Sequence, residues 1–243
     1  MRVAVLSDVH ANLHALEAVL ESVAEDAPDA VWCLGDVVGY GPRPNRCSRL
    51  VAERADLCLI GNHDLGVLGR LDLNDFSEDA AESARWSASV LEDEPRAFLE
   101  SLEPQATQGE VGLYHASARD PVWEYVLTPF SALASFEASD ARILLVGHSH
   151  VALAFILSEN RLETAIAPDG TELDLTGDAR WILNPGSVGQ PRDGDARAAY
   201  LLLDLEGRRA QYKRVEYPFE RTQAEIRERG LPESLAERLA HGV

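Results

Sequence analysis

Positive charge is scarce in this sequence: 22 lysines and arginines stand against 41 aspartates and glutamates in 243 residues, a formal net charge of -19. A surface of that sign repels a phosphate backbone or an anionic membrane over a Debye length of about 8 Å. Sequence-independent nucleic-acid binding is therefore excluded, and a small anion is recruited only where bound cations reverse the local potential. Cysteine is scarce too. Cys33, Cys47 and Cys58 form an odd set without a Cys-x-x-Cys pair, and two of them fall in apolar runs where a thiol acts as a small hydrophobe. Buried filler in a reducing cytoplasm is expected. The apolar run over 151–157 is far shorter than the roughly 20 residues of a membrane span, and Met1-Arg2 leads straight into apolar residues without a signal-peptide pattern. A soluble, cytoplasmic protein with no membrane partner follows. No repeat, low-complexity tract or flexible linker divides the chain, so a single domain over 1–243 is expected.

What the sequence does have is alternation. Short apolar runs at 3–6, 30–34 and 57–60 read as buried parallel strands, separated by helical stretches at 13–24 and about 46–55. Each strand ends in a polar cluster: Ser7-Asp8-Val9-His10, Gly35-Asp36 and Gly61-Asn62-His63-Asp64. Strand character returns at 111–114, followed by His115, and at 143–146, followed by Gly147-His148-Ser149-His150. In open α/β sheets ligands collect beyond the carboxyl ends of parallel strands, so these clusters should converge. Between them, Ala81, Ala84, Ala88, Leu91, Phe98 and Leu102 space out two one-faced helices, read as a small helical cap over about 65–109. Beyond 150 the chain reads as largely antiparallel sheet (153–157, 163–166, 181–183, 199–203, 211–215), with turns at Asp169-Gly170 and Asp193-Gly194. It closes with helices near 219–228 and 232–240.

Five of the seven histidines, His10, His63, His115, His148 and His150, stand at or just after strand ends; His14 and His241 do not. Taken singly, each is an ordinary hydrogen-bonded histidine. Gathered with Asp8, Asp36 and Asn62 in one cleft, they need compensation of several kcal/mol per uncompensated charge, which a metal provides. Imidazole, carboxylate and amide oxygen, with no thiolate, suit divalent manganese, iron, zinc, cobalt or nickel. Asp36, between the other clusters, is the natural bridge between two cations, and a water shared by such a pair is acidified to a pKa of about 7 or below.

The ordered set Asp-x-His, Gly-Asp, Gly-Asn-His-Asp, a later His and Gly-His-x-His, from Asp8 to His150, resembles the calcineurin-like metallophosphoesterases and fits the spacing of their compact prokaryotic phosphodiesterase branch. The shared pattern extends through Asn184-Pro185-Gly186-Ser187. The resemblance implies a four-layer α/β/β/α sandwich of two mixed sheets. It implies one metal on Asp8, His10, Asp36 and His150, and a second on Asp36, Asn62, His115 and His148. His63 would stabilise the phosphoryl transition state or protonate the leaving oxygen, with Asp64 orienting it.

The remaining candidates have two readings each. Gly39-Tyr40-Gly41-Pro42 is a substrate-facing loop presenting Tyr40, or a plain turn. Arg192 forks onto a phosphate, or is a solvated surface arginine. Trp86, Trp123 and Tyr125 stack on a nucleobase, or simply pack. The expected activity is hydrolysis of a phosphodiester or pyrophosphate bond in a small organic phosphate or nucleotide, a dinucleoside polyphosphate being one candidate. The alternatives are a phosphomonoesterase and a protein-interaction scaffold of the same fold; the scaffold would need neither His63 nor a full ligand set.

Overall fold

Alternate residues of the first strand face two different cores, and that division builds the whole architecture. The structure is a computed structural model describing residues 1–159 and 161–243. In β1 (Arg2–Leu6), Val3 and Val5 point into one apolar layer and Ala4 and Leu6 into another, as the period of two in a strand requires.

Helix α1 (Leu13–Asp26) follows, its first turn held by the Asn12 side chain accepting from Ala15 N–H. Next come β2 (Ala30–Cys33), α2 (Pro44–Arg54), β3 (Leu57–Cys58) and a short helix α3 (Asn62–Val67). Then α4 (Glu78–Val90), α5 (Asp93–Glu100), β4 (Gln105–Gln108), β5 (Val111–Tyr114), α6 (Pro129–Glu137) and β6 (Ile143–Val146) carry the chain into the second sheet. The last third supplies β7 (Ala152–Ser158), β8 (Arg161–Ile166), β9 (Glu172–Asp174), β10 (Arg180–Pro185), β11 (Ala198–Asp204), β12 (Arg209–Val215), α7 (Phe219–Glu228) and α8 (Glu233–Glu237).

Two six-stranded mixed sheets result, in the orders β3-β2-β1-β11-β12-β9 and β4-β5-β6-β10-β7-β8. Parallel pairing joins β1 to β2, β2 to β3, β5 to β6 and β6 to β10, and the remaining neighbours are antiparallel. The sheets face each other across Val3, Val5, Trp32, Leu113, Leu145 and Leu203. Ala4, Leu6 and Tyr200 pack outward under α1, α2 and α4, while Leu144, Val146 and Phe155 pack outward under α6 through Ala132 and Phe136. This is the four-layer α/β/β/α sandwich expected from the sequence. Cys33 and Cys47 are buried in the first outer core. Among the described residues, no helix is long and apolar enough to cross a membrane.

Within 65–109, α4 packs on α3, and Ser83 Oγ accepts the Tyr40 N–H at 3.2 Å. Helix α5 instead joins the layer beside α2, burying Leu99 there. The parallel strands of both sheets release their chains at one edge, where the polar clusters meet.

Candidate metal centre

Backbone hydrogen bonds stitch the ligand-bearing loops together. The N–H groups of Asp8, His10 and Ala11 donate to the carbonyls of Gly35, Asp36 and Val37 at 3.0, 2.8 and 2.9 Å, so the loops after β1 and β2 run side by side. The loop after β10 closes on the same stretch, with Val188 and Gly189 N–H donating to the carbonyls of Ser7 and Asp8. Five of the seven expected ligands, Asp8, His10, Asp36, His148 and His150, have φ between 48 and 62°. That left-handed region costs a non-glycine residue about 1–3 kcal/mol and clusters at functional sites. The close approach also depends on Gly61, where a Cβ would lie 2.0 Å from Asp36 Oδ1.

The seven side chains converge in two groups that share Asp36. Asp8, His10, Asp36 and His150 offer ligand atoms within 4.8 Å of one another, and so do Asp36, His115 and His148. Asn62 Oδ1 lies 3.1 Å from His115 Nε2, completing the second group. All seven are at most 4% exposed.

Backbone carbonyls fix the imidazole tautomers. Nδ1–H of His10, His150 and His115 donates to the carbonyls of Val38, Gln190 and Leu34 at 3.2, 2.6 and 2.8 Å, which leaves each Nε2 with a lone pair directed inward. His10 Nε2 and His150 Nε2 are only 3.0 Å apart. Two lone pairs at that distance repel, and so do those of His115 Nε2 and Asn62 Oδ1; a cation between them turns both clashes into attraction. His148 is turned the other way, its Nε2–H donating to the Trp123 carbonyl at 3.2 Å.

Asp36 is the hinge of the arrangement. Its Oδ1 accepts the His63 N–H at 2.8 Å. Its Oδ2 is buried without any hydrogen-bond partner, 3.6 Å from both His10 Nε2 and His115 Nε2. A lone carboxylate oxygen between two imidazole lone pairs has no protein donor to satisfy it. The donor set and this orphaned oxygen suit a dinuclear divalent metal site.

Without cations, burial pushes the Asp8 carboxyl up to about 7. Burial, with Asp64 nearby, raises Asp36 well above the usual carboxylate range. Burial drives His10, His63, His148 and His150 well below the usual imidazole value, and the Arg192 charge adds to each. These groups are costly to charge and mutually opposed until positive charge arrives.

The other expected residues are distributed around this core. The His63 ring lies 4.3 Å from the Tyr40 ring, 4.9 Å from His10 and 5.3 Å from Phe76, and its buried Nδ1 has no hydrogen-bond partner. Asp64 is spent on the main chain: its carboxylate accepts from Val38 N–H at 2.9 Å and Gly61 N–H at 3.0 Å, so it positions the loops that carry Asp36 and His63 and makes no hydrogen bond to the His63 ring. Arg192 donates to the Tyr40 hydroxyl at 3.2 Å and lies over its ring. Tyr125 stacks on His148 at 4.2 Å and 7°, Trp123 packs on Phe76 at 5.0 Å, and Trp86 packs away from the site among the terminal helices. Gln190, which holds His150 through its carbonyl and Arg192 through its Oε1 at 2.8 Å, has no signature in the sequence beyond following the Asn-Pro-Gly-Ser run.

The chain is 43% identical to a metallophosphoesterase from Sphaerobacter thermophilus, with a TM-score of 0.90, covering 100% of this chain and 99% of that one. It is 38% identical over 245 residues to an uncharacterized protein of Methanocaldococcus jannaschii, covering 99% of this chain and 98% of the relative. A symmetrical bis(5'-nucleosyl)-tetraphosphatase of Ectopseudomonas mendocina is 38% identical over 71 residues, 28% of this chain and 26% of that enzyme. The model of the calcineurin-like phosphoesterase superfamily domain matches residues 1–208, the span that supplies every strand before β12 and all seven converging side chains. On that match and this donor geometry, the chain belongs to the calcineurin-like phosphoesterase superfamily.

Proposed function

We propose that this chain is a dinuclear metal-dependent hydrolase of a phosphodiester or pyrophosphate bond in a small organic phosphate or nucleotide. The observation that carries it is Asp36 Oδ2, buried, without a donor and 3.6 Å from an imidazole of each ligand group. In this reading Asp8, His10, Asp36 and His150 hold one ion and Asp36, Asn62, His115 and His148 the other, the ions being manganese, iron, zinc, nickel or cobalt. Such a pair supplies Lewis acidity toward a phosphoryl group and a hydroxide source near neutral pH.

The protein's own residues then orient and discharge the phosphoryl group. His63, neutral by burial, offers one N–H and one lone pair; an incoming phosphate raises its proton affinity and makes it the donor to the leaving oxygen. Tyr40 and Arg192 stand on the rim as substrate contacts, and Phe76 brings the first part of the 65–109 segment over His63 as a cap. Asp64 acts through the main chain. The short likeness to the tetraphosphatase supports a pyrophosphate-containing substrate.

The test is hydrolysis by metal-reconstituted protein of monoesters, diesters and nucleotides under manganese, iron, nickel and zinc, compared by kcat/KM. A diester or pyrophosphate preference supports the reading, a monoester preference replaces it with a phosphatase, and inactivity at full metal occupancy removes the enzyme.

A further inference from the structure

Arginines in this acidic chain are held by carboxylates almost wherever they pack: Arg43 with Glu225, Arg49 with Glu92, Arg119 with Glu124, Arg197 with Asp195, Arg214 with Asp193 and Arg227 with Glu233. Two half-buried arginines beside the metal centre are different. Among the described residues, neither Arg192 nor Arg238 pairs with a side-chain carboxylate, although Arg238 Nε donates to the Val243 main-chain oxygen at 2.7 Å. Both instead donate to the same neutral oxygen, Gln190 Oε1, at 2.8 and 3.2 Å. The Arg192 Nε is buried and donates to nothing. Two like charges brought to one amide oxygen repel each other, and each guanidinium is left with unused donors in a fork suited to phosphate oxygens.

Their surroundings show where such an anion belongs. Tyr40 lies between the metal centre and a cavity of 670 Å³: its ring packs on His10 and His63, and it lines that cavity together with Arg238, Gln223, Ser234, Asp79 and Glu237. The terminal helices seat Arg238 there by burying Ile226, Leu235 and Leu239 against Tyr40 and Ala80. A substrate leaving the metal ions past Tyr40 therefore meets the arginine pair first and the polar lining next. Asp79 and Glu237 oppose a phosphate but accept from hydroxyl or amino groups.

We infer that Arg192 and Arg238 form a second anion subsite that binds the non-reacting phosphate of the substrate, with the organic remainder in the adjoining cavity. This inference rests on the hydrolase reading above and sharpens it: the substrate carries at least two phosphates in series, as an organic pyrophosphate or polyphosphate does, and the bond cleaved lies between the metal centre and Gln190.

The test compares wild type with Arg238→Gln and Arg238→Lys in two assays. In manganese-loaded protein, the ratio of kcat/KM for ADP to kcat/KM for p-nitrophenyl phosphate should fall about tenfold or more in Arg238→Gln, the loss expected for one charge-assisted hydrogen bond, and recover partly in Arg238→Lys. General unfolding lowers both rates together and leaves the ratio unmoved, so an unchanged ratio overturns the subsite. In metal-free protein, calorimetric titration with inorganic pyrophosphate should show binding weakened about tenfold by Arg238→Gln; equal affinity overturns it. If wild type hydrolyses neither substrate, the titration alone decides the subsite, while the broader substrate and metal screen decides the hydrolase reading.

Discussion

Asp36→Asn should make the metal-free protein more stable and the metal-loaded protein less stable. Asp36 is 0% exposed and its Oδ2 has no donor, so in the absence of cations the folded chain holds its carboxyl as the acid, and unfolding releases a proton. For a carboxyl whose folded pKa is raised, the penalty is absent below the unfolded value near 4. It grows by about 1.4 kcal/mol per pH unit as pH rises toward the folded value. At pH 7 the ceiling is about 4 kcal/mol. Asparagine has no such proton to lose, keeps an oxygen for the His63 N–H at 2.8 Å, and turns N–H donors toward the lone pairs of His10 and His115. At about 2–4 °C per kcal/mol for a chain of this size, the metal-free variant melts up to roughly 8–16 °C above wild type at pH 7, with the gap closing toward pH 4. With metal the sign reverses, because an ion bound a thousandfold above its Kd stabilises wild type by about 4 kcal/mol and the variant has lost the shared charge. Calorimetric scans with chelator and with manganese, from pH 4.5 to 7.5, read both effects. A metal-free variant that melts at or below wild type at pH 7, or a gap independent of pH, would refute the account of Asp36 as a buried carboxylate awaiting cations.

Other substitutions separate the remaining roles. His63→Ala should keep two metals per chain by elemental analysis while kcat falls about 10²- to 10⁴-fold; metal loss as severe as in Asp36→Asn would make His63 a ligand. Gly61→Ala should cost metal binding without replacing a ligand, since its Cβ would meet Asp36 Oδ1 at 2.0 Å and the Asp36 backbone N at 2.5 Å; wild-type occupancy would show that this loop is free to move. Metal affinity should fall as pH drops below about 7, because a proton on Asp8, pushed up to about 7 by burial, must leave before an ion binds. A Kd constant between pH 8 and 5.5 would contradict it.

The parts of the fold legible in the sequence are those in which a hydrophobic period meets a buried face. β1 and β2 stand where their apolar runs put them, and α7 spans Phe219–Glu228 as its pattern predicts. Three elements escaped because no clean buried period marks them. β4 (Gln105–Gln108) and β9 (Glu172–Asp174) are polar strands on sheet edges, where nothing selects for alternation. In α6 the apolar Phe130 and Leu133 face outward, 72 and 41% exposed, which blurs the helical stripe. Its start is marked only by Thr128 capping Ser131 N–H ahead of Pro129. The run at 57–60 is strand only to Cys58 because the chain must turn into α3 at Gly61 to carry Asn62 and His63 to Asp36.

The metal centre divides in the same way between what side-chain identity states and what the backbone does. Asp8, His10, Asp36, Asn62, His115, His148 and His150 are named by strand-end position and chemistry. Their directions are set by the carbonyls of Val38, Leu34, Trp123 and Gln190, and a carbonyl belongs to every residue type, so no letter in the sequence announces it. The five left-handed ligands are equally silent, since aspartate and histidine there are held by the pairing of neighbouring loops rather than by their own preference. The arginine pair is the extreme case. Arg238 lies 46 positions after Arg192 on a terminal turn with no local signal, and only the packing of Ile226, Leu235 and Leu239 against Tyr40 brings its charge to Gln190. A pattern search reports the groups that react; the groups that select a substrate depend on which surfaces the cores happen to join, and here the terminal helices join theirs to the rim of the metal centre.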